Sequence, residues 1–228
     1  KTLHSSALGG HSGQTACLQR IKLAFFWPKM KAEVIEEIKS CEICQRSKSE
    51  HVQYPGLLQP LAVPTQAWKE ISMDFVEQLP LSEGMDTVLV VVDRLSKYGH
   101  FVALKHPFSA KEVADVFLDN IFRLHGMPNS IVSDRDKIFT SVFWSTLFEK
   151  LGVELHFSTA YHPQSDGQTE RLNQCLESYL RCFTSERPNS WRKWLPMAEF
   201  WYNTSFHTSL GITPYEAVYG VKPVPLSM

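Results

Sequence analysis

Three carboxylates in this chain stand in settings that differ from one another. Asp74 lies inside the short extended run Ile71-Ser72-Met73-Asp74-Phe75-Val76. Asp134 closes the run Ser130-Ile131-Val132-Ser133. Glu170 opens a helical pattern after the turn-rich stretch Tyr161-His162-Pro163-Gln164-Ser165-Asp166-Gly167, with 35 residues separating it from Asp134. Acids drawn from two strands and a helix make an all-oxygen site of the kind that hard divalent cations prefer, and two such ions can run phosphoryl transfer. A second set has different chemistry. His4 and His11 precede Cys41 and Cys44, with 29 residues between His11 and Cys41. Two imidazoles and two thiolates complete a tetrahedral Zn²⁺ shell. The Cys41-Glu42-Ile43-Cys44 pair taken alone leaves free thiols and surface histidines open as a reading. Cys17 and His51 are rival ligands by type, although Cys17, in Cys17-Leu18-Gln19-Arg20-Ile21, suits core packing better.

The elements that must position these groups are legible in outline. Val34, Ile35 and Ile38 recur at helical spacing in Lys31–Lys39, a helix that delivers Cys41 and Cys44 at its end. A module of about 50 residues has little core of its own, which gives a metal a structural task there. Residues 51–66 read as linker, with Pro55, Gly56, Pro60 and Pro64 and little periodicity. After it come the Asp74 run, the β-branched run Thr87–Val92 and a third strand at His100–Leu104. Ala110, Val113, Ala114, Phe117, Leu118 and Ile121 mark an amphipathic helix stopped near Gly126 and Pro128. A short strand ending at Asp134, a helix around Phe143–Leu151, a strand at Glu154–Ser158, the helix bearing Glu170 and a last helix at Trp191–Tyr202 follow. Three strands in a row and then alternating helix and strand predict an α/β mixed sheet.

Periodicity also orients the acids. Ile71, Met73 and Phe75 alternate, which turns Asp74 to the other strand face. On the Glu170 helix, Leu172, Leu176, Tyr179, Leu180 and Phe183 form an apolar stripe, while Glu170, Asn173, Gln174, Glu177 and Arg181 line the opposite side. Glu170 therefore belongs to an exposed first turn. The helix N-terminus, capped by Ser165 or Asp166, suits an acid and a nearby phosphate. Asp136 and Asp93 compete as ligands by chemistry alone; turn-forming and surface roles are the simpler reading of both.

The bulk numbers set limits. With 228 residues and 43% hydrophobic content, the chain has room for a large domain plus a small one. It holds no apolar run near the ~20 residues of a membrane span, so no membrane partner is expected. It begins inside a motif, as a piece of a longer polyprotein would. The net charge of −1 does not advertise a nucleic-acid binder. Yet residues 1–50 hold 8 Lys/Arg against 5 Asp/Glu, and residues 51–228 hold 15 against 19, so any DNA binding rests on local patches and on metal. Five cysteines, two of them in CxxC, do not form a secreted disulfide framework.

The segments Met73-Asp74-Phe75, Val132-Ser133-Asp134-Arg135-Asp136 and His162-Pro163-Gln164-Ser165-Asp166-Gly167-Gln168-Thr169-Glu170-Arg171-Leu172-Asn173 resemble the D,D(35)E core of retroviral and retrotransposon integrases. Their flanks resemble the Ty3/gypsy class of long-terminal-repeat elements most. The His4, His11, Cys41, Cys44 set resembles the HHCC zinc domain of the same enzymes, so the likeness runs from His4 to about Pro223.

The resemblance implies an RNase H-like mixed-sheet core preceded by a small helical HHCC domain: 1–50 zinc-binding, 51–66 linker, 67–228 catalytic core with a C-terminal helical extension. It implies metal-dependent joining of element 3′ ends to target DNA, with 3′-end trimming or endonuclease action as a companion. Asp74, Asp134 and Glu170 would be catalytic, with Asp74 bridging two Mg²⁺ (or Mn²⁺) ions and the other two acids each completing one shell. One structural Zn²⁺ would sit on His4, His11, Cys41 and Cys44. Tyr161, Pro163, Gln164 and Ser165 would belong to a loop that touches the DNA end, with Asn173 and Gln174 one turn beyond Glu170; Arg171 points about 100° away from Glu170. The implied partners are double-stranded element and target DNA and further copies of the chain. The implied setting is the nucleus, by way of cytoplasmic virus-like particles. Two other readings are a domesticated, inactive DNA-binding or interaction module, whose cheapest sign is a lost acid, and a ribonuclease of the same fold, which the HHCC set and the 35-residue spacing disfavour.

Overall fold

The computed structural model describes residues 2–47, 64–157 and 167–223. Contacts divide the chain into two compact units, one of Pro55–Gln174 and one that combines Lys1–Tyr54 with Cys175–Met228. Most of the expected 51–66 linker lies outside the described residues, as does Ser158 at the end of an expected strand.

The chain opens with four short helices: α1 (Thr2–Ser5), α2 (Gln14–Lys22), α3 (Met30–Lys39) and α4 (Glu42–Ser47). Cys17 and Ile21 of α2 meet Met30, Val34 and Ile38 of α3 in a small core, joined by Leu3, Leu18 and Trp27 at its edge. Cys17 is thus a packing residue, as its apolar neighbours suggested. Five buried side chains are a thin core for such a module, so further constraint must hold it.

The sheet unit follows. β1 (Glu70–Val76), β2 (Thr87–Asp93) and β3 (Gly99–Leu104) form an antiparallel meander. After α5 (Ala110–Phe117), a π-helical stretch at Leu118–Phe122 and α6 (Arg123–His125), the chain returns as β4 (Ser130–Ser133), parallel to β1. α7 (Val142–Lys150) then leads to β5 (Glu154–Phe157), parallel to β4. The five-stranded order is β3-β2-β1-β4-β5. Every residue of β2, the run richest in β-branched side chains, is buried. On one face Ile71, Met73, Leu89, Val91 and Ile131 pack with Val113 and Phe117 of α5 and with Trp144 and Phe148 of α7. The strand alternation that buries Ile71 and Met73 sends Ser72 and Asp74 to the other face.

α8 (Gly167–Thr184) carries the expected stripe: Leu172, Leu176, Tyr179 and Leu180 are buried, while Glu170 is exposed. The last expected helix, Trp191–Tyr202, is two elements. A 3₁₀ stretch at Pro188–Trp194 gives way to α9 (Leu195–Thr204), with α10 (Pro214–Tyr219) beyond it. Pro196 is the reason. It has no N–H to continue an α-ladder and its ring crowds the carbonyl four residues back, so the α-helix restarts there. Among the described residues, no helix is long and apolar enough to cross a membrane.

Asp93 is neither a surface charge nor a free ligand. It is fully buried at the end of β2. Its Oδ1 accepts the Trp68 N–H at 2.9 Å, and its Oδ2 accepts the Ser96 N–H at 2.9 Å and the Ser96 hydroxyl. It closes the β2–β3 turn and fixes the entry to β1, where Trp68 holds a left-handed φ of 65°. Asp93→Ala would strand these buried donors. It is expected to destabilise the chain by about 2–4 kcal/mol in chemical denaturation, and a change below about 0.5 kcal/mol would contradict this role.

Candidate active site and metal centre

The parallel ladder brings two of the predicted acids together. In register, Ser72 lies opposite Val132 and Met73 opposite Ser133, so Asp74 and Asp134 are the next positions along the two chains where the paired stretch ends, near enough for the charge of Asp134 to act on Asp74. Both side chains are half-buried. The Phe75 N–H donates to Asp74 Oδ1 at 2.8 Å, and the Asn173 amide donates to Asp74 Oδ2 at 2.7 Å. Asn173 follows Glu170 by three residues, so the two share a helix face. Asn173 thereby sets the first turns of α8 against Asp74.

Electrostatics report the same convergence. Burial pushes the Asp74 carboxyl up to about 6; the charges of Asp134 and Glu170 add to that, while the bonds from Phe75 and Asn173 pull the other way. Burial also raises Asp134, with the charge of Asp136 adding to it and the Asp136 N–H opposing. Asp136 itself serves its turn: its N–H donates to Asp134 Oδ1 at 3.0 Å, and its own Oδ1 accepts from the Ile138 N–H at 2.7 Å. That separates Asp134 from its near neighbour in sequence.

The second set is tighter. The ligand atoms of His4, His11, Cys41 and Cys44 all lie within 4.8 Å of one another. Cys41 Sγ is 3.4 Å from His11 Nδ1, and Cys44 Sγ is 3.4 Å from His4 Nε2 and 3.6 Å from His11 Nδ1. A tetrahedron with Zn–S of ~2.3 Å and Zn–N of ~2.0 Å has N···S edges of about 3.5 Å, so the residues fit the ion. Cys41 follows the end of α3, as the helical spacing predicted, whereas Cys44 sits in a further short helix, α4, that the spacing did not foresee. The three acids do not close around one point in this way. Like charges resist it until a cation neutralises them.

Comparison with known proteins places the two sets in two family regions, except that Glu170 lies beyond the matched core. The Integrase zinc binding domain family matches residues 1–50, and the Integrase core domain family matches residues 64–163, which include Asp74 and Asp134. The transposon Tf2-3 and Tf2-4 polyproteins of Schizosaccharomyces pombe are each 34% identical over 223 residues, a match that takes in 98% of this chain. This is a Ty3/gypsy-type integrase chain. It spans only 17% of the length of those polyproteins.

Solved structures agree on the fold. A chain of the simian T-cell lymphotropic virus intasome in complex with PP2A regulatory subunit B56 gamma superposes with TM-score 0.59 at 21% identity, over 96% of this chain and 75% of that one. The HTLV-2 integrase catalytic core domain in complex with magnesium (trimeric form) gives 0.55 at 17% identity, over 68% and 99%. The RNase H-like mixed sheet and the helical His/Cys module expected from the sequence are therefore both present.

In this integrase core, Asn173 is a companion of Asp74 and not simply part of an outward polar face. Gln174 is exposed beside it. Tyr161, Pro163, Gln164 and Ser165 lie outside the described residues, as does the Asp166 cap. Sequence reasoning did not single out Thr169, which is fully buried with a hydroxyl that has no hydrogen-bond partner among the described residues. Its spacing of four from Asn173 was the available signal. Asn173 Oδ1 is likewise buried without a partner among the described residues. Oxygen-only donors beside an orphaned acceptor fit a hydrated hard cation.

Raising a carboxyl to about 6 means that the fold favours its protonated form. Stability from Asp74 is then present below its ordinary value near 4 and is lost as pH climbs through 6. Asp74→Asn removes that loss, and the new N–H can bond to Asn173 Oδ1 after an amide flip. In buffer free of Mg²⁺ and Mn²⁺, with zinc retained, the variant is expected to be more stable than wild type by about 1–3 kcal/mol at pH 7 and to show no gain at pH 4. Melting curves at both pH values check this; a loss of stability at pH 7 would show that Asp74 is not a strained acid.

Proposed function

We propose that this chain is the zinc-binding and catalytic part of an enzyme that joins the 3′ ends of retrotransposon DNA to double-stranded target DNA, with 3′-end trimming as a related hydrolysis. The observation that carries the proposal is the register that sets Asp74 beside Asp134, with Asn173 bringing the first turns of α8, and so Glu170, to the same carboxylate.

In the proposed reaction the terminal 3′-hydroxyl of element DNA attacks a target phosphodiester. A new P–O bond forms as the old one breaks, and the target 3′-oxygen leaves. One bond replaces another, so no nucleotide cofactor is required. Bound Mg²⁺ or Mn²⁺, as a pair, would activate the attacking oxygen and stabilise the leaving one. Asp74, Asp134 and Glu170 would hold those ions. The Phe75 N–H fixes one Asp74 oxygen and Asn173 orients the other, so this carboxylate reaches the reaction already aimed. The charges of Asp134 and Glu170, which add to the rise that burial causes at Asp74, are what a bound cation would offset.

His4, His11, Cys41 and Cys44 would hold one Zn²⁺ as a structural ion, compensating for the thin core of the N-terminal module. Tyr161, Pro163, Gln164, Ser165, Asn173 and Gln174 belong to the same proposal as contacts to the DNA end, with the enzyme acting as a multimer in the nucleus after passage through cytoplasmic particles.

Strand transfer with the element's own terminal DNA is the direct test. Asp74→Asn, Asp134→Asn and Glu170→Gln are each expected to reduce joining in Mg²⁺ or Mn²⁺ to background, whereas Asp136→Asn keeps much of it. Joining that persists in all three primary variants would remove the mechanism; loss in Asp136→Asn with survival in Asp134→Asn would reassign the pair.

Elemental analysis of the purified chain tests the other metal. One Zn²⁺ per chain is expected, absent from the Cys41→Ser, Cys44→Ser double variant. Full zinc content in that variant would exclude these thiolates as ligands.

A further inference from the structure

The eight-residue segment His4–His11 joins two of the four ligands of the His/Cys set, and its backbone is tightly constrained. The His11 N–H donates to the His4 carbonyl at 2.9 Å, the Gly10 N–H to the Ser6 carbonyl at 2.8 Å and the Ser12 N–H to the Gly9 carbonyl at 3.0 Å. Gly10 and His11 take consecutive left-handed conformations, with φ of 58° and 47°. Positive φ is uncommon for any residue other than glycine, although histidine tolerates it better than most, so two such residues in succession call for contacts that hold them there.

What holds it comes from the far end of the same unit. The Trp201 indole N–H of α9 donates to the Gly9 carbonyl at 3.1 Å and to the Ser12 hydroxyl at 2.9 Å. The Tyr179 hydroxyl of α8 donates to the Ala7 carbonyl at 2.9 Å. Arg20 of α2 reaches the Gly9 carbonyl at 3.0 Å with one nitrogen and the Ser205 hydroxyl at 3.0 Å with another. The Ser205 hydroxyl in turn donates to the Trp201 carbonyl at 2.6 Å. Rings seal the arrangement: Phe183 lies 5.5 Å from the His11 imidazole, and Tyr179 packs on Trp201 at 5.0 Å. Gly10 is obligatory here, because a Cβ on it would meet Trp201 Nε1 at 2.1 Å. The Gly9 carbonyl also accepts the Ser12 hydroxyl at 2.6 Å, so three side chains converge on a single oxygen between the two imidazoles.

We propose that Trp201 and Tyr179 are positioning residues of the zinc site: the C-terminal helices clamp the loop between His4 and His11, so that zinc binding and the docking of α8 and α9 are one coupled event. This inference rests on the zinc reading above and adds to it. No local sequence signal near the four ligands contains the clamp, since Tyr179 and Trp201 are donated from more than 130 residues beyond Cys44. The coupling is reciprocal, as any free-energy coupling between two equilibria must be. Zinc stabilises α9, and α9 raises the affinity for zinc.

Zinc affinity, measured on the whole chain by competition with a chromophoric chelator, tests the clamp. Trp201→Phe keeps a ring and loses the N–H; Tyr179→Phe loses only the hydroxyl. The double variant is expected to bind zinc about tenfold more weakly than wild type, in the range seen when groups that orient metal ligands are removed. Thr213→Ala serves as the control. It deletes the cap of α10 in the same unit without touching the loop, and its zinc affinity should match wild type.

A second measurement needs no variant. Amide hydrogen exchange across Leu195–Thr204 should accelerate when zinc is chelated from the wild-type chain. Equal zinc affinity in wild type and the double variant would overturn the clamp, as would an equal loss in Thr213→Ala or exchange in α9 that ignores zinc. Failure of wild type to take up zinc at all would overturn the zinc reading itself, and the clamp with it.

Discussion

Parallel pairing between β1 and β4 is the constraint on which the rest of the catalytic unit depends. A parallel neighbour cannot be supplied by a tight turn, so the chain must leave β3, cross through α5 and α6 and return alongside β1. That crossover covers one face of the sheet with Val113, Phe117 and Ile121. The register it delivers, Met73 opposite Ser133, makes Asp74, inside β1, and Asp134, just past the end of β4, the next positions along the two chains. A slip of one residue would turn every side chain of β4 to the wrong face and take Asp134 away from Asp74. The buried residues Ile131 and Val132 oppose such a slip, because each has its own face to fill.

The acid site is built against the ordinary preference of its own charges. Burial and two neighbouring carboxylates raise Asp74, and only two hydrogen bonds offset them. A site arranged for folding alone would not gather like charges in this way. Asp93 makes the contrast plain: it is more deeply buried, at the end of β2, but three donors satisfy it. The difference between an acid that closes a turn and an acid available to a cation lies in how many donors the fold supplies.

The other unit meets a different difficulty. Among the described residues its N-terminal helices share a small core built on Cys17, Ile21, Met30, Val34 and Ile38, and the loop between the two histidines carries consecutive left-handed residues. Its remedies are a His/Cys set spaced for a tetrahedral ion and a set of hydrogen bonds from Tyr179, Trp201 and Arg20 to the loop backbone. The first remedy is written in residue types near one another in the chain; the second is long-range.

That distinction marks what the amino-acid sequence by itself determined. Residue type and spacing were sufficient to single out the four His and Cys side chains that the structure gathers, the succession of strands and helices in the sheet unit and the buried stripe of α8, because each is a local pattern with a fixed period or a fixed donor chemistry. Pro196 shows the limit of periodicity: the apolar spacing in Trp191–Tyr202 reads as one helix, and the missing N–H divides it into two elements. Asn173 read as a polar face position, and only the packed structure aimed it at Asp74. Thr169 and Asp93 owe their roles to burial, which no single residue encodes. The grouping of the chain beyond Cys175 with the first 54 residues was likewise a tertiary decision, since Trp201 and Gly9 meet across 192 positions and such pairs leave no periodic trace in one sequence.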